Sequence, residues 1–290
     1  MKAQLKDRSL FVQLLVFVAI MLLSAGVFVF GFTLIFHSSL AQTSTLKALQ
    51  AIQTIAVFCV PCVVCAYLCS ESPVSYLSLD RHAGWKSSIA VILTMLLLQP
   101  AINLTGHLNE QIQLPESLST LEQALKAMEK NAQLLVERFL QTDGIGGFLV
   151  NFFVIALLPA FSEELCFRGT LQRMFSQKGN RIVAIWACAI LFSAVHFQFY
   201  GFVPRMLMGA FFGYLLLWSG SLWLPVIAHL TNNATIVVLY YIFSQKKVST
   251  QILDTLGTGD TLWLGIASLA LTAPVVWLCY RIIKSEHSDH

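Results

Sequence analysis

Seven stretches of this chain carry no charged residue, and their lengths decide the solvent in which it can fold. They lie between Arg8 and Lys47, Lys47 and Glu71, Lys86 and Glu110, Asp143 and Glu163, Arg181 and Arg205, Arg205 and Lys246, and Asp260 and Arg281. One helix crosses the hydrocarbon of a bilayer with roughly 20 apolar residues, and most of these stretches supply them. The interval from Arg205 to Lys246 is about twice that length and is broken at Ser219-Gly220-Ser221, so it reads as two spans joined by a tight turn. The expected fold class is all-α, a polytopic membrane protein with eight transmembrane helices, residues 1–290 forming a single transmembrane domain. Composition agrees: 57% of the 290 residues are hydrophobic, 11% are charged and mean hydropathy is +0.72, outside the range of soluble globular chains.

The first apolar stretch, Leu10 to about Phe36, is too long for a signal-peptide core and shows no small-residue cleavage site after it. It is expected to stay as an anchor. Lys2, Lys6 and Arg8 precede span one, Arg81 and Lys86 separate spans two and three, Arg173, Lys178 and Arg181 separate spans four and five, and Arg281 and Lys284 follow span eight. The positive-inside rule places all four groups, and both termini, in the cytoplasm. Lys246 and Lys247 are the exception. Net charge is only +3 and the basic residues sit at span ends, so topology explains them and no nucleic-acid partner is expected.

The one long polar stretch, between spans three and four, contains an insert over residues 115–142. Ser119 followed by Glu122 reads as a capping box, and Leu121, Leu125, Met128, Ala132, Leu135 and Phe139 repeat at helical spacing. The insert is expected to be an amphipathic helix on the outer side. It reads either as a gate or substrate-docking helix, or as an interfacial helix lying on the membrane or the bundle. The tail from Ser285 to His290 is expected to fray.

Cys59, Cys62, Cys65 and Cys69 reproduce the C-x2-C-x2-C-x3-C spacing of iron–sulfur ligands. Inside an apolar helix, however, four thiols fall on one side instead of surrounding a cluster, and no proline follows the fourth. Small polarizable side chains packing helix on helix are the more economical account. Pro61 is placed to kink that span.

Ionisable side chains inside spans are costly and mark function. Three places break the apolar pattern. In Ser162-Glu163-Glu164-Leu165-Cys166-Phe167-Arg168, Glu164 and Arg168 stand four apart and can pair. That leaves Glu163 beside a negative charge in a dry setting, the conditions that turn a carboxylate into a useful general base. The second place is Phe192-Ser193-Ala194-Val195-His196, where a lone histidine could equally be a packing residue. In the third, His229 and Asn233 are one helical turn apart and face the same way. If the chain turns at Gly179-Asn180, Glu163 and His196 each lie about 16 residues from the turn and come level in an antiparallel hairpin, roughly 24 Å away.

Together, Glu163-Glu164-x-x-x-Arg168, Phe192-x-x-x-His196 and His229-x-x-x-Asn233 resemble the three motifs of the CAAX-protease and bacteriocin-processing (Abi) family. The runs SEELCFRGTLQ (162–172) and GSLWLPVIAHLTNN (220–233) are similar to that family's wording as well. The likeness covers a catalytic core over 148–241, while the first three spans rest on hydropathy. It implies an intramembrane endopeptidase related to the eukaryotic CAAX prenyl endopeptidase, with a water-accessible cavity. By this resemblance Glu163 activates water with help from His196, His229 and Asn233 stabilise the oxyanion, and Glu164 and Arg168, with Phe192, support the constellation. A bacterial cytoplasmic membrane is the expected location. The expected partner is a membrane peptide or lipidated protein, cut near a lipidated C-terminus or at the leader of a bacteriocin-like precursor.

The same groups permit a metalloprotease, since Glu163, His196 and His229 form a credible zinc set with one open position. There is no H-E-x-x-H motif, and asparagine is a weak zinc ligand but a good oxyanion donor, which favours glutamate-activated water. A non-catalytic membrane scaffold or immunity factor that binds a peptide in the same cavity is the alternative. A transporter is disfavoured because there is no inverted repeat and no matched pair of broken helices.

Overall fold

The computed structural model describes residues 2–142, 144–177, 179–247, 249 and 255–287. Among these the chain is helical with no strand. We number the main helices α1 (Leu10–Ile35), α2 (Thr43–Cys69), α3 (Trp85–Glu110), α4 (Ser119–Leu140), α5 (Gly144–Ser176), α6 (Arg181–Ala194), α7 (Phe202–Ser219), α8 (Trp223–Gln245) and α9 (Leu262–His287). Seven membrane-length apolar helices, α1, α2, α3, α5, α7, α8 and α9, establish a multi-pass integral membrane protein.

The fifth expected span is shorter than its uncharged interval. Helix α6 has 14 residues, about 21 Å at 1.5 Å per residue, because Phe197 adopts a left-handed φ of 54° and Phe199–Gly201 form a 3-10 turn. The two turns that the sequence marks are present. Asn180 caps α6, its side chain accepting from the Ile182 amide at 2.8 Å, and Gly220 ends α7 with a φ of 70° that favours glycine. Lys178 and Asp143 lie outside the described residues.

Several helices contain π-helical turns, at Ala25–Phe30, Ile55–Cys59, Phe152–Leu157 and Leu165–Gln172. Pro61 and Pro159 follow two of them, so the widened turn absorbs the hydrogen bond that a proline cannot donate. Cys62, Cys65 and Cys69 are buried, unpaired and packed with Cys166, Cys188, Phe167 and Leu222. The cysteines therefore serve as small core side chains.

Two expectations at chain ends are corrected. Ser119 is the first residue of α4 and makes no capping bond, and Glu122 pairs instead with Lys126 at 2.7 Å. A 3-10 turn at Glu116–Leu118 starts the helix, so no side chain needs to cap it. The C-terminal tail does not fray through His287, because Glu286 accepts from the Ser87 amide at 2.8 Å and hydroxyl at 2.6 Å. Ser288–His290 lie outside the described residues.

Candidate active site

Helix α5 carries the first motif on its buried face. Glu164 and Arg168 are fully buried and bonded at 2.8 Å through Arg168 Nη1. Arg168 Nη2 donates to the Gly209 carbonyl on α7 at 2.8 Å, and the guanidinium lies over the Phe192 ring at 4.6 Å and the Phe212 ring at 5.4 Å. One arginine thus joins α5 to α6 and α7, its planar fork meeting a carboxylate and a carbonyl together. The close approach depends on Gly209 and Gly213. A Cβ on Gly209 would lie 3.2 Å from Arg168, and one on Gly213 would lie 2.8 Å from Gln172, whose amide donates to the Gly213 carbonyl.

Glu164 also accepts from His229 Nδ1 at 2.9 Å. His229 stacks on Phe212 with ring centroids 5.4 Å apart and meets Phe192 edge-on at 5.7 Å. Phe192 is thereby the common wall of Arg168, His229 and His196. His196 donates through Nδ1 to the Phe192 carbonyl at 2.7 Å. A carbonyl can only accept, so a neutral His196 carries its lone pair on Nε2. That atom is 3.9 Å from Glu163 Oε2.

Glu163 Oε2 has no hydrogen-bond partner within the protein. A cavity of about 300 Å³ brings Glu163, His196, His229 and Asn233 together, with Asn232, Arg205 and Gln50 also on its wall. Asn233 donates to the Ile155 carbonyl at 3.3 Å, and its Nδ2 retains a second hydrogen. Leu135, Val136 and Phe139 of α4 line the same cavity. The insert therefore lies on the bundle over the site, tied to the start of α2 by Arg138, which donates to Thr43 Oγ1 at 2.9 Å and to the Ala41 carbonyl.

Arg205 is a member of the site that sequence reasoning misses, because along the chain it looks like a charge between two spans. Its Nη2 donates to Gln198 Oε1 at 2.7 Å and its Nη1 has no partner. The lone arginine at the start of an otherwise uncharged 40-residue run is the available signal. Gly209-x-x-x-Gly213, a small-residue packing motif, is legible too.

Among the described residues no group of three His, Cys, Asp or Glu side chains is arranged to hold a metal ion. Both histidines hold Nδ1 against the protein and leave Nε2 free, as zinc-bound histidines do, but Glu163, His196 and His229 are not arranged as a three-donor set. We derive no step through zinc.

Burial of Glu129 on α4 raises its carboxyl above the ordinary 4.5, against the opposing pull of Arg205 and of a hydrogen bond from the Tyr200 backbone, with Glu110 adding slightly to the rise. A carboxylic acid raised by folding favours the folded contact while protonated, and that advantage is lost as pH rises through the raised value. Docking of α4 should accordingly loosen as pH climbs from about 4.5. Limited proteolysis within Ser119–Leu140 is expected to speed up over that range in the wild type and to be flat in Glu129→Gln. A pH-independent wild type would contradict this.

Residues 145–235, which contain all three motifs, match the family model described as type II CAAX prenyl endopeptidase Rce1-like. The chain is also similar to the uncharacterized protein YpbD of Bacillus subtilis (strain 168), with 30% identity over 84 residues, 28% of this chain and 40% of that protein. The chain thus spans about 40% of the length of this curated relative. No solved structure matches.

Proposed function

We propose that this chain is an intramembrane endopeptidase in which Glu163 activates the attacking water. The observation that carries the reading is Glu163 Oε2, unpartnered within the protein and 3.9 Å from His196 Nε2 on the wall of a cavity. Glu163 takes a proton from water as the oxygen attacks the peptide carbonyl, and His196 Nε2, able to accept, helps orient that water. The proton then passes to the leaving amine, which restores the carboxylate.

The oxyanion falls to Asn233, through its second amide hydrogen, and to His229. With Nδ1 bonded to Glu164, His229 offers a donor at Nε2 only as an imidazolium, and Glu164 stands as its counter-ion. Substrates are membrane peptides or lipidated proteins cut within the bilayer. The termini lie in the cytoplasm, as the distribution of Lys and Arg favours, and the membrane is that of a bacterial cell.

The test is cleavage of a membrane-peptide library by purified protein in detergent, with and without chelator, alongside metal analysis. Cleavage that survives chelation without bound zinc is expected. Chelator-sensitive cleavage with stoichiometric zinc would replace glutamate-activated water by a metalloprotease mechanism. Peptide retention without any cut, from a folded protein, would favour a binding scaffold.

A further inference from the structure

At the end of the bundle that holds both termini, five basic side chains converge on one concavity. Arg81 comes from the α2–α3 connection, Arg168 and Arg173 from α5, Arg181 from the start of α6 and Lys284 from the end of α9, around a cavity of about 660 Å³. Among the described residues no carboxylate lines it. Positive residues on this face are what topology requires, but topology alone would scatter them over separate loops. Here they are gathered with Ser75, Ser78, Ser176 and Ser219 at its wall.

The charges are poorly neutralised. Among the described residues, none of Arg81, Arg173, Arg181 and Lys284 forms an ion pair, and only Arg168 has a carboxylate partner. Asp80 and Glu286 line an adjoining cavity that shares Arg81 with the bowl; Asp80 accepts from Ser75 on the bowl's wall and Glu286 from Ser87. Arg173 is held in place by the Tyr76 ring at 4.5 Å and the Tyr76 carbonyl at 2.7 Å. At the innermost wall stands fully buried Arg168, whose Nε has no hydrogen-bond partner. The N-terminus of α6, at Arg181, adds its dipole to the positive field.

We propose that this basic bowl is a binding site for the headgroup phosphate of an anionic phospholipid of the surrounding leaflet. Arginine forks supply the donors a phosphate oxygen takes up, while Ser75, Ser176 and Ser219 already donate to Asp80, the Gln172 carbonyl and the Leu215 carbonyl, so the cations carry the site. Each Lys or Arg near a membrane surface adds to the attraction for such lipids. The bowl is a cavity distinct from the catalytic one, with Arg168 standing between the two, and the proposal does not depend on the peptidase reading.

The test is lipid retention, measured by native mass spectrometry on full-length protein exchanged into mixed micelles of phosphatidylglycerol and phosphatidylcholine. Wild type is expected to keep phosphatidylglycerol in preference. The double substitution Arg181→Gln/Lys284→Gln should weaken that retention by about tenfold or more, a factor of ten being about 1.4 kcal/mol. The charge-conserving swap Arg181→Lys/Lys284→Arg should preserve it, as should Lys246→Gln/Lys247→Gln at the opposite end. Equal retention in wild type and the charge-removing variant would overturn the proposal. So would displacement of the lipid by millimolar inorganic phosphate, which would make the bowl a site for free phosphate. If the double variant fails to fold, the single substitutions Arg181→Gln and Lys284→Gln carry the same comparison.

Discussion

Replacing Glu163 by glutamine is expected to lower the cleavage rate by about 10²–10⁴-fold, the range removed with a general base, while leaving thermal unfolding unchanged. The carboxamide keeps the size of the side chain but cannot take a proton from water. Among the described residues Glu163 forms no ion pair within bonding distance, and its nearest ionisable neighbour is His196 at 3.9 Å. Little stability is therefore at stake. The measurement is single-turnover cleavage in proteoliposomes, with unfolding followed in parallel. A glutamine variant retaining more than about a tenth of wild-type rate would contradict general-base catalysis by Glu163. Loss of activity together with loss of fold would not support it either, and Glu163→Asp, which keeps the charge but withdraws it from the cavity, would then be the comparison.

Arg168→Ala should have the largest effect on stability, a loss of about 3–5 kcal/mol, because it strands a buried carboxylate. Both side chains of the Arg168–Glu164 pair are fully buried, at 0% exposure. The truncation also removes the bond to the Gly209 carbonyl and the contacts with Phe192 and Phe212. Arg168→Lys keeps the charge but cannot place two donors on Glu164 and Gly209 together, so it should recover only part of the loss. The double substitution Arg168→Met/Glu164→Gln removes both charges and should recover most of the stability. It should stay inactive, since His229 loses its carboxylate counter-ion. Thermal unfolding in detergent measures the first effect, and wild-type stability in Arg168→Ala would show that Arg168 is not what joins α5 to α7.

The cost of burying polar groups in a membrane makes much of the site legible in the sequence. Glu163, Glu164, His196, His229 and Asn233 stand out because each interrupts an apolar span, where an unpaired polar group is expensive. The i to i+4 spacing of Glu164 and Arg168 forecasts their pairing correctly, as do the equal distances of Glu163 and His196 from the turn before Asn180. Arg205 is not legible in the same way because it borders two spans, where a charge needs no explanation. The capping box expected at Ser119 does not form because the 3-10 turn ahead of it supplies another start.

By itself, the sequence determined the medium, the helical class, the order of the spans and the identity of the polar residues. These depend on local composition and on a helical period that is the same in every environment. Only the tertiary structure decided that α6 stops at Ala194, that Glu164 is shared between Arg168 and His229, and that α4 covers the cavity. It also decided that five basic residues from distant helices and connections meet in one bowl. Each of these depends on contacts between segments far apart in the chain, and a short window of residues carries no information about distances set by helix packing.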